Sequence, residues 1–569
     1  MKQGKWPLAQ SSTVQRFSRG GPVDRIYVAN AIITLDPNRP FAEAVAVRDG
    51  KVLHVGSLAE IEGYLASGDY VIDRQFVDAT LTPGFIEAHG HLFGDGSVCD
   101  FPWVGFDDRV RADGTIDPGC KTIADVVDRL RRDVDRALAG DKTLLGFGFD
   151  PTFHDGRPLL AHDLDQVTQE LGVIVMNASG HLCYANSFQM QYNGVNASTV
   201  APGVMVDLHG NPTGEFHETA MGLVLAKANI LGTTPTKATW NGGRLAQLAG
   251  CTTMSDIGMV TLGAGFDAFR SAVAEEDFPV RVAFSPNMNK LRELLSLSER
   301  IELARKLRSE DTERCFMGPL KWLADGSIQG FTGKLGWPGY CGGEDHGFLI
   351  LDEEAVVEEV TPFHNEGFQA AVHTNGDEAT AVVLRAIERI VIANPRPDHR
   401  HRLEHCQLAS RAQFQKMAAL GVGVNLFSNH LYFWGDTHRT KTVGPDKARR
   451  MNAARSALDA GVTFSIHSDA PVTPVGPLFT MWCAVNRQTR SGFVLGEYEQ
   501  LTALEALQAM TLGSAKLLHI EDKLGSIEVG KWADFTVLEE SPLEVNKLAI
   551  KDISVLATIV GGVVTERPS

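Results

Sequence analysis

The stretch PGFIEAHGH (residues 83–91) decides the fold. It leaves a Pro-Gly turn, runs through the apolar pair Phe85-Ile86 and ends on two histidines one residue apart. Residues i and i+2 of a strand point to the same face, so His89 and His91 can converge on one ion. Two unrelated histidines would explain the spacing alone equally well. Position adds weight, because active sites of (β/α)8 barrels are built at the C-terminal ends of the strands.

Seven further short apolar runs follow: CTTMSDIG (251–258), PVRVAFSP (279–286), GPLKWLADG (318–326), FQAAVHTNGD (368–377), RHRLEHC (400–406), VGVNLFSN (422–429) and VTFSIHSD (462–469). Amphipathic stretches such as 290–310 and 377–394 lie between them. Alternation of this kind marks βα units on a parallel sheet. Eight units predict an α/β protein with a (β/α)8 TIM-type barrel over 81–519; a doubly wound sheet is the second architecture. The 160 residues from His91 to Cys251 break the rhythm, since a barrel allows roughly 30 per unit. A large insertion after barrel strand 1, residues 95–245, is therefore expected as a lid or specificity subdomain, with a stabilising or dimerisation decoration as the alternative. Alternating Val/Ile/Thr-rich runs at both chain ends predict a small composite β-sandwich domain from 24–80 and 520–569. Residues 1–23 read as a polar leader.

Composition narrows the function. The 569 residues carry 53 Lys+Arg against 70 Asp+Glu, a formal charge of −17. Such a chain lacks the basic excess that nucleic acid requires. No apolar run approaches the ~18 residues of a membrane span. The eight cysteines form no Cys-x-x-Cys pair, which speaks against a disulfide framework or zinc ribbon and for a cytoplasmic location. The expected partner is a small-molecule substrate, with no nucleic acid and no membrane; a homo-oligomer, a dimer, is the expected assembly.

Three more potential ligands end strand runs: His373, His405 and Asp469. Each alone reads as a hydrogen-bonded structural residue. Four His and one Asp at the same end of one barrel suit Zn²⁺ or a similar divalent ion. Lys321 occupies the matching point of the fourth run. It is either a solvent-facing strand-end lysine or an amine desolvated among ligands, neutral enough to take up CO2. Weaker candidates for substrate contact are His181 in ASGHLCYAN, His217 beside Glu218, His430 in FSNHLYFW, and Trp434, which with Tyr432 and Phe433 could form an aromatic wall. Asp377 is expected to cap the helix after His373, and Asp325 to make a turn.

The chain resembles the amidohydrolase superfamily, in its branch called amidohydrolase family 3 (YtcJ-like and N-substituted formamide deformylase-like proteins). The resemblance runs from about Asp24 to Val564. It rests on PGFIEAHGH, GNPTGEFHE (210–218), KWLADGS (321–327), HTNGDEA (373–379), RLEHCQ (402–407), HSDAPVTPVGPL (467–478) and the segment 511–538. It implies His89, His91, His373 and His405 as metal ligands and Lys321 as the strand-four ligand, carboxylated or not. Asp469 is implied as both ligand and catalytic proton shuttle, with one or two ions per chain. Glu87 replaces the family's usual Asp, and Gly90 separates the two histidines.

The resemblance implies a metal-bound hydroxide that attacks the C–N bond of an amide or formamide-type compound, small and partly apolar. Asp469 would act as general base and then general acid. Hydrolysis of an ester, lactone or phosphoester is an alternative. Deamination is another, but deaminases of the superfamily place a Glu three residues after the strand-five His, where this chain has Gly376. A non-catalytic metal-binding protein is the least expected reading.

Overall fold

A computed structural model of the chain describes residues 24–65, 68–154, 156–230, 232–342 and 346–565. The expected leader, 1–23, lies outside the described residues.

All eight apolar runs carry parallel strands: β1 (Phe85–Glu87), β2 (Cys251–Met259), β3 (Arg281–Pro286), β4 (Cys315–Met317), β5 (Leu320–Leu323), β6 (Ala370–Thr374), β7 (Arg402–His405), β8 (Gly423–Leu426) and β9 (Phe464–Ile466). They pair as two parallel sheets, in the orders β4-β3-β2-β1 and β5-β6-β7-β8-β9. The fold is therefore α/β, in two sheets. The fourth run, 318–326, carries β5 alone; β4 lies just upstream of it, outside all eight runs, and Gly318-Pro319 separates the two, where proline has no N–H to give to the ladder. The break is bridged: Gly318 N–H reaches Phe284 O at 2.7 Å, and Lys321 pairs in parallel with Asn287 just past β3. At the outer strands, His91 N–H donates to Ala470 O at 2.8 Å.

These strands are buried on both faces, as parallel sheets require. Leu320, Trp322, Val372, Leu403, Val424 and Ile466 enter one apolar core with the helices that cover them. Helix α1 (Asp377–Ala393) shows the logic, burying Ala379, Val383, Ile387 and Ile390 at three- and four-residue spacing. The expected helix at 290–310 is two helices, Met288–Leu294 and Leu297–Ser309. Ser296 and Glu299 form a capping box that starts the second one afresh.

Strands from both chain ends hydrogen-bond as one eight-stranded mixed sheet, joined where Thr80–Pro83 pairs antiparallel with Phe535–Leu538. Period-two alternation gives it two apolar faces: Tyr27 and Val45 enter one cluster, Ile26 and Ala46 the other. Arg281, at the start of β3, holds Asp534 of this sheet through two contacts of 2.7 and 3.1 Å. The segment between β1 and β2 has its own five-stranded sheet, whose end pair Leu144–Phe149 and Val173–Asn177 runs parallel. Its core, around Leu144, Val173 and Tyr184, is its own. No helix among the described residues is long and apolar enough to cross a membrane, and the eight cysteines are free thiols.

Candidate metal centre

Past the C-terminal ends of the parallel strands, His89, His405, His467 and Asp469 each offer one ligand atom, all within 4.8 Å of one another. All four residues are buried. Their rings are packed close: His89 lies 4.5 Å from His405 and 4.6 Å from His467, centroid to centroid. Asp469 Oδ1 is 3.3 Å from the Nε2 atoms of both His89 and His91, and Oδ2 is 3.6 Å from His405 Nδ1.

The electrostatics favour the ligating form of each group. Burial pulls His373, His405 and His467 well below the ordinary imidazole range, keeping them neutral. Burial would raise Asp469, but His89 and His405 override it and hold the carboxyl well below its usual range. His89 Nδ1–H donates to Glu404 Oε2 at 2.5 Å, which leaves Nε2 for the centre. Arg402 Nε lies 2.5 Å from the other Glu404 oxygen, so a fully buried carboxylate is balanced from both sides.

The residues fit a divalent cation. His405 Nδ1, both nitrogens of His467 and Asp469 Oδ1 are buried with no hydrogen-bond partner. Unsatisfied buried polar atoms are costly, and their convergence on one point is what a missing ion would explain.

The centre forms one wall of a cavity of about 190 Å³ that His91, His181, Lys321 and His373 also line. Lys321 is buried, and its amine is pulled down to about 8 by that burial. His373 sits 4.5 Å from His405, ring to ring, with Nε2 at 3.1 Å from Gly326 O, outside the four-atom cluster. Thus His89, His405 and Asp469 meet at the cluster, His91 approaches Asp469, and Lys321 and His373 stand on the surrounding wall.

Two of these residues have left-handed backbones, His405 at φ 69° and Asp469 at φ 57°. Asp325 accepts N–H bonds from Lys334, Asn375 and Gly376, tying the loop after β5 to the end of β6, which is more than a local turn. Burial raises its carboxyl to about 7. Asp377 is not the helix cap. Gly376 holds that position, and the Asp377 carboxylate instead takes Gly336 N–H and Lys447 Nζ.

Among the expected substrate contacts, His181 reaches the cavity from the inserted segment, its Nδ1 at 3.0–3.1 Å from both Glu218 oxygens. Burial would lower His181, but Glu218 raises it. The other three differ from expectation. His217 pairs with Glu215 at 3.0 Å, away from the cavity wall. Trp434 is buried, its Nε1–H tied to Asp150 Oδ2 at 2.7 Å. His430 is wholly buried one layer behind the wall. His467 and Glu404 were missed by sequence reasoning. Their signal was present: His467 precedes Asp469 by two residues, as His89 precedes His91, and Glu404 adjoins His405.

Two parallel sheets with a buried His/His/His/Asp cluster at their strand ends are an arrangement suited to metal-dependent hydrolases. A solved structure of an uncharacterized metal-dependent hydrolase from Pyrococcus horikoshii OT3 shares the fold with a TM-score of 0.71 at 19% identity, covering 92% of this chain and 99% of that one. The amidohydrolase family's sequence profile matches residues 77–565, and the chain belongs to that family. N-substituted formamide deformylase of Arthrobacter pascens is 28% identical over 556 residues, 95% of this chain and 97% of that protein. YtcJ of Bacillus subtilis (strain 168) is 26% identical over 542 residues, 93% and 96% respectively.

Proposed function

We propose that the chain hydrolyses the C–N bond of a small amide, of formamide or related type, at a divalent-metal centre. The observation that carries this is the convergence of buried ligand atoms from His89, His405, His467 and Asp469, those of the last three unpartnered, beside a cavity that His91, Lys321 and His373 also face. We assign His89, His91, His373, His405 and Asp469 as the ligands expected from the family, add His467 as a candidate, and include Lys321, carboxylated or not, for one or two ions, Zn²⁺ or similar. The centre, when loaded, would polarise the scissile carbonyl and lower the pKa of water to about 7. Asp469, held ionised, takes the proton of the attacking water at its carboxylate and returns it to the leaving nitrogen. Glu404 fixes the ring of His89, and His181, oriented by Glu218, faces the substrate.

Deamination is disfavoured by space. A Cβ at Gly376 would stand 1.8 Å from Lys334 O, so a side chain there cannot be accommodated without moving backbone. On this reading the two parallel sheets are arcs of one (β/α)8 barrel over 81–519. Residues 24–80 and 520–569 form the composite domain, and 95–245 the insertion. The eight free thiols support a cytoplasmic location, and light scattering would establish whether the enzyme is a dimer.

The test is metal analysis of the purified chain together with a hydrolysis screen over N-formyl, N-acyl, carboxylic ester and phosphoester compounds. We expect bound divalent metal and turnover of amides. Hydrolysis confined to phosphoesters would discard the amidase reading while keeping the centre, and a chain that binds no metal would sink both.

A further inference from the structure

Gln329, on the loop after β5, lines the cavity together with His89, His405 and Asp469 of the metal cluster. Behind it stand two wholly buried histidines. His430 Nε2 meets Gln329 Oε1 at 3.1 Å, His430 Nδ1 meets His438 Nε2 at 2.8 Å, and His438 Nδ1 meets the Thr442 hydroxyl at 2.7 Å. The two rings stack 4.8 Å apart at 9°. With one proton per ring, a carboxamide oxygen on His430 gives the chain one sense. The Thr442 hydroxyl donates to His438, His438 donates to His430, and His430 donates to Gln329 Oε1. The carboxamide NH2 of Gln329 is then left for the cavity, and it has no other partner among the described residues.

Uncharged polar side chains make up much of the rest of that wall. Asn287, Asn375, Gln407 and Ser179 line it, and among its described residues Lys321 is the one Lys or Arg. Asn375 Oδ1 and Gln407 Oε1 are buried acceptors without partners. Against the Gln329 NH2, Lys321 and the Glu218-paired His181, a substrate carboxylate would also meet the unpartnered acceptors and the ionised Asp469, with no guanidinium to receive it, and a buried charge left short of partners is strongly penalised. A neutral group with both N–H and C=O matches the wall. The volume, about 190 Å³, is small for an organic-ligand pocket.

We propose that Gln329 binds the non-reacting end of the substrate, that this end is an uncharged carboxamide or urea-like group, and that His430 and His438 are positioning residues acting through Gln329. This rests on the reading of the site as a C–N hydrolase. It would place the substrate among small neutral diamides and acylureas rather than N-acyl amino acids.

Matched pairs test it in the metal-loaded full chain: N-formylglycinamide against N-formylglycine, and N-acetylglycinamide against N-acetylglycine. We expect the neutral member to lead by about tenfold or more in kcat/KM, the worth of one well-placed hydrogen bond. Gln329→Leu should raise KM about tenfold for the neutral member and leave kcat within about twofold. His438→Phe, remote from the cavity, should raise KM in the same direction, and His438→Gln, which keeps a donor near Nε2, should restore most of it. Preference for the carboxylate members, or an unchanged KM in Gln329→Leu, overturns the proposal. If no pair is hydrolysed, calorimetric binding of N-formylglycinamide decides: binding that Gln329→Leu abolishes keeps this inference and discards the reaction, and no binding discards the inference.

Discussion

Replacing Glu404 by Gln tests the support behind His89 with almost no change of shape. Glu404 is fully buried, 2.5 Å from His89 Nδ1 on one side and 2.5 Å from Arg402 Nε on the other. Arg402 is equally buried, and its remaining donors reach the main-chain oxygens of Ala88 and Leu517. Burial works to raise the Glu404 carboxyl, yet Arg402 and His89 hold it well below the usual carboxylate range. The glutamine removes the charge and keeps one acceptor. Breaking a buried ion pair by removing one partner costs about 3–5 kcal/mol. The retained acceptor recovers part of this, so the expected loss lies near the lower end, about 3 kcal/mol. His89 also loses its charged anchor, which costs about 10–100-fold in metal affinity.

The two effects separate in one experiment. Urea denaturation of the metal-free chain, followed by tryptophan fluorescence, reads stability; competition against a chromophoric chelator reads affinity. The double variant Arg402→Met/Glu404→Gln, with both charges of this pair removed, should regain stability relative to Glu404→Gln while its metal affinity stays weak. A Glu404→Gln chain within about 0.5 kcal/mol of the parent, with unchanged affinity, would refute the argument that this carboxylate both balances Arg402 and orients His89.

Asp469→Asn should bind metal within about tenfold of the parent while losing at least about 100-fold in kcat; undiminished turnover would remove its role as proton carrier. Gly376→Ala, whose new Cβ would sit 1.8 Å from Lys334 O, should lower stability by about 1–3 kcal/mol in thermal unfolding. Asp325→Ala should cost at least about 3 kcal/mol, because three N–H groups lose their acceptor. His364, His399 and His401 form a buried cluster away from the site, bonded His364 Nδ1 to His401 Nε2 at 2.8 Å and all pulled below the ordinary range by burial. The fold favours their neutral forms, so their contribution is whole above about pH 6.5 and is lost as pH falls below it. Urea midpoints should therefore drop from pH 7 to pH 5, and less steeply in His401→Gln.

What was legible in the sequence follows from periodicity. A strand buried on both faces must read as a short apolar run, so every strand but β4 was marked; β4 is three residues long, too short to stand out as a run. A ligand at a strand end stands out because a polar side chain terminates such a run, as His373 and Asp469 do. His467 was hidden because it sits between an apolar run and an aspartate already assigned to chemistry. Trp434 and His430 were misplaced for a related reason. The run FSNHLYFW shows that aromatic residues cluster, but not which face of helix His430–Thr437 meets the cavity, and the tether from Trp434 to Asp150 joins segments 284 positions apart. Pro319 was visible as a residue inside the fourth run; that a separate strand, Cys315–Met317, ends just before it was not.

Backbone conformation is the part that no pattern displays. His405 and Asp469 lie in the left-handed region, which non-glycine residues rarely occupy and which costs of order 1–3 kcal/mol each. Glycine would relieve the strain and remove a ligand atom at each place. The strain persists because the surroundings over-determine it. Ser468, just before Asp469, is bonded through N–H and hydroxyl to Glu87, and it receives the Thr473 hydroxyl at its carbonyl. Val472 N–H closes a turn on Asp469 O at 2.7 Å. Glu87, raised to about 8 by burial, can serve as a largely neutral clamp there. That answers why Glu is acceptable where the family resemblance leads one to expect Asp. The position need not reach the ion, because its work is to fix the chain that carries Asp469.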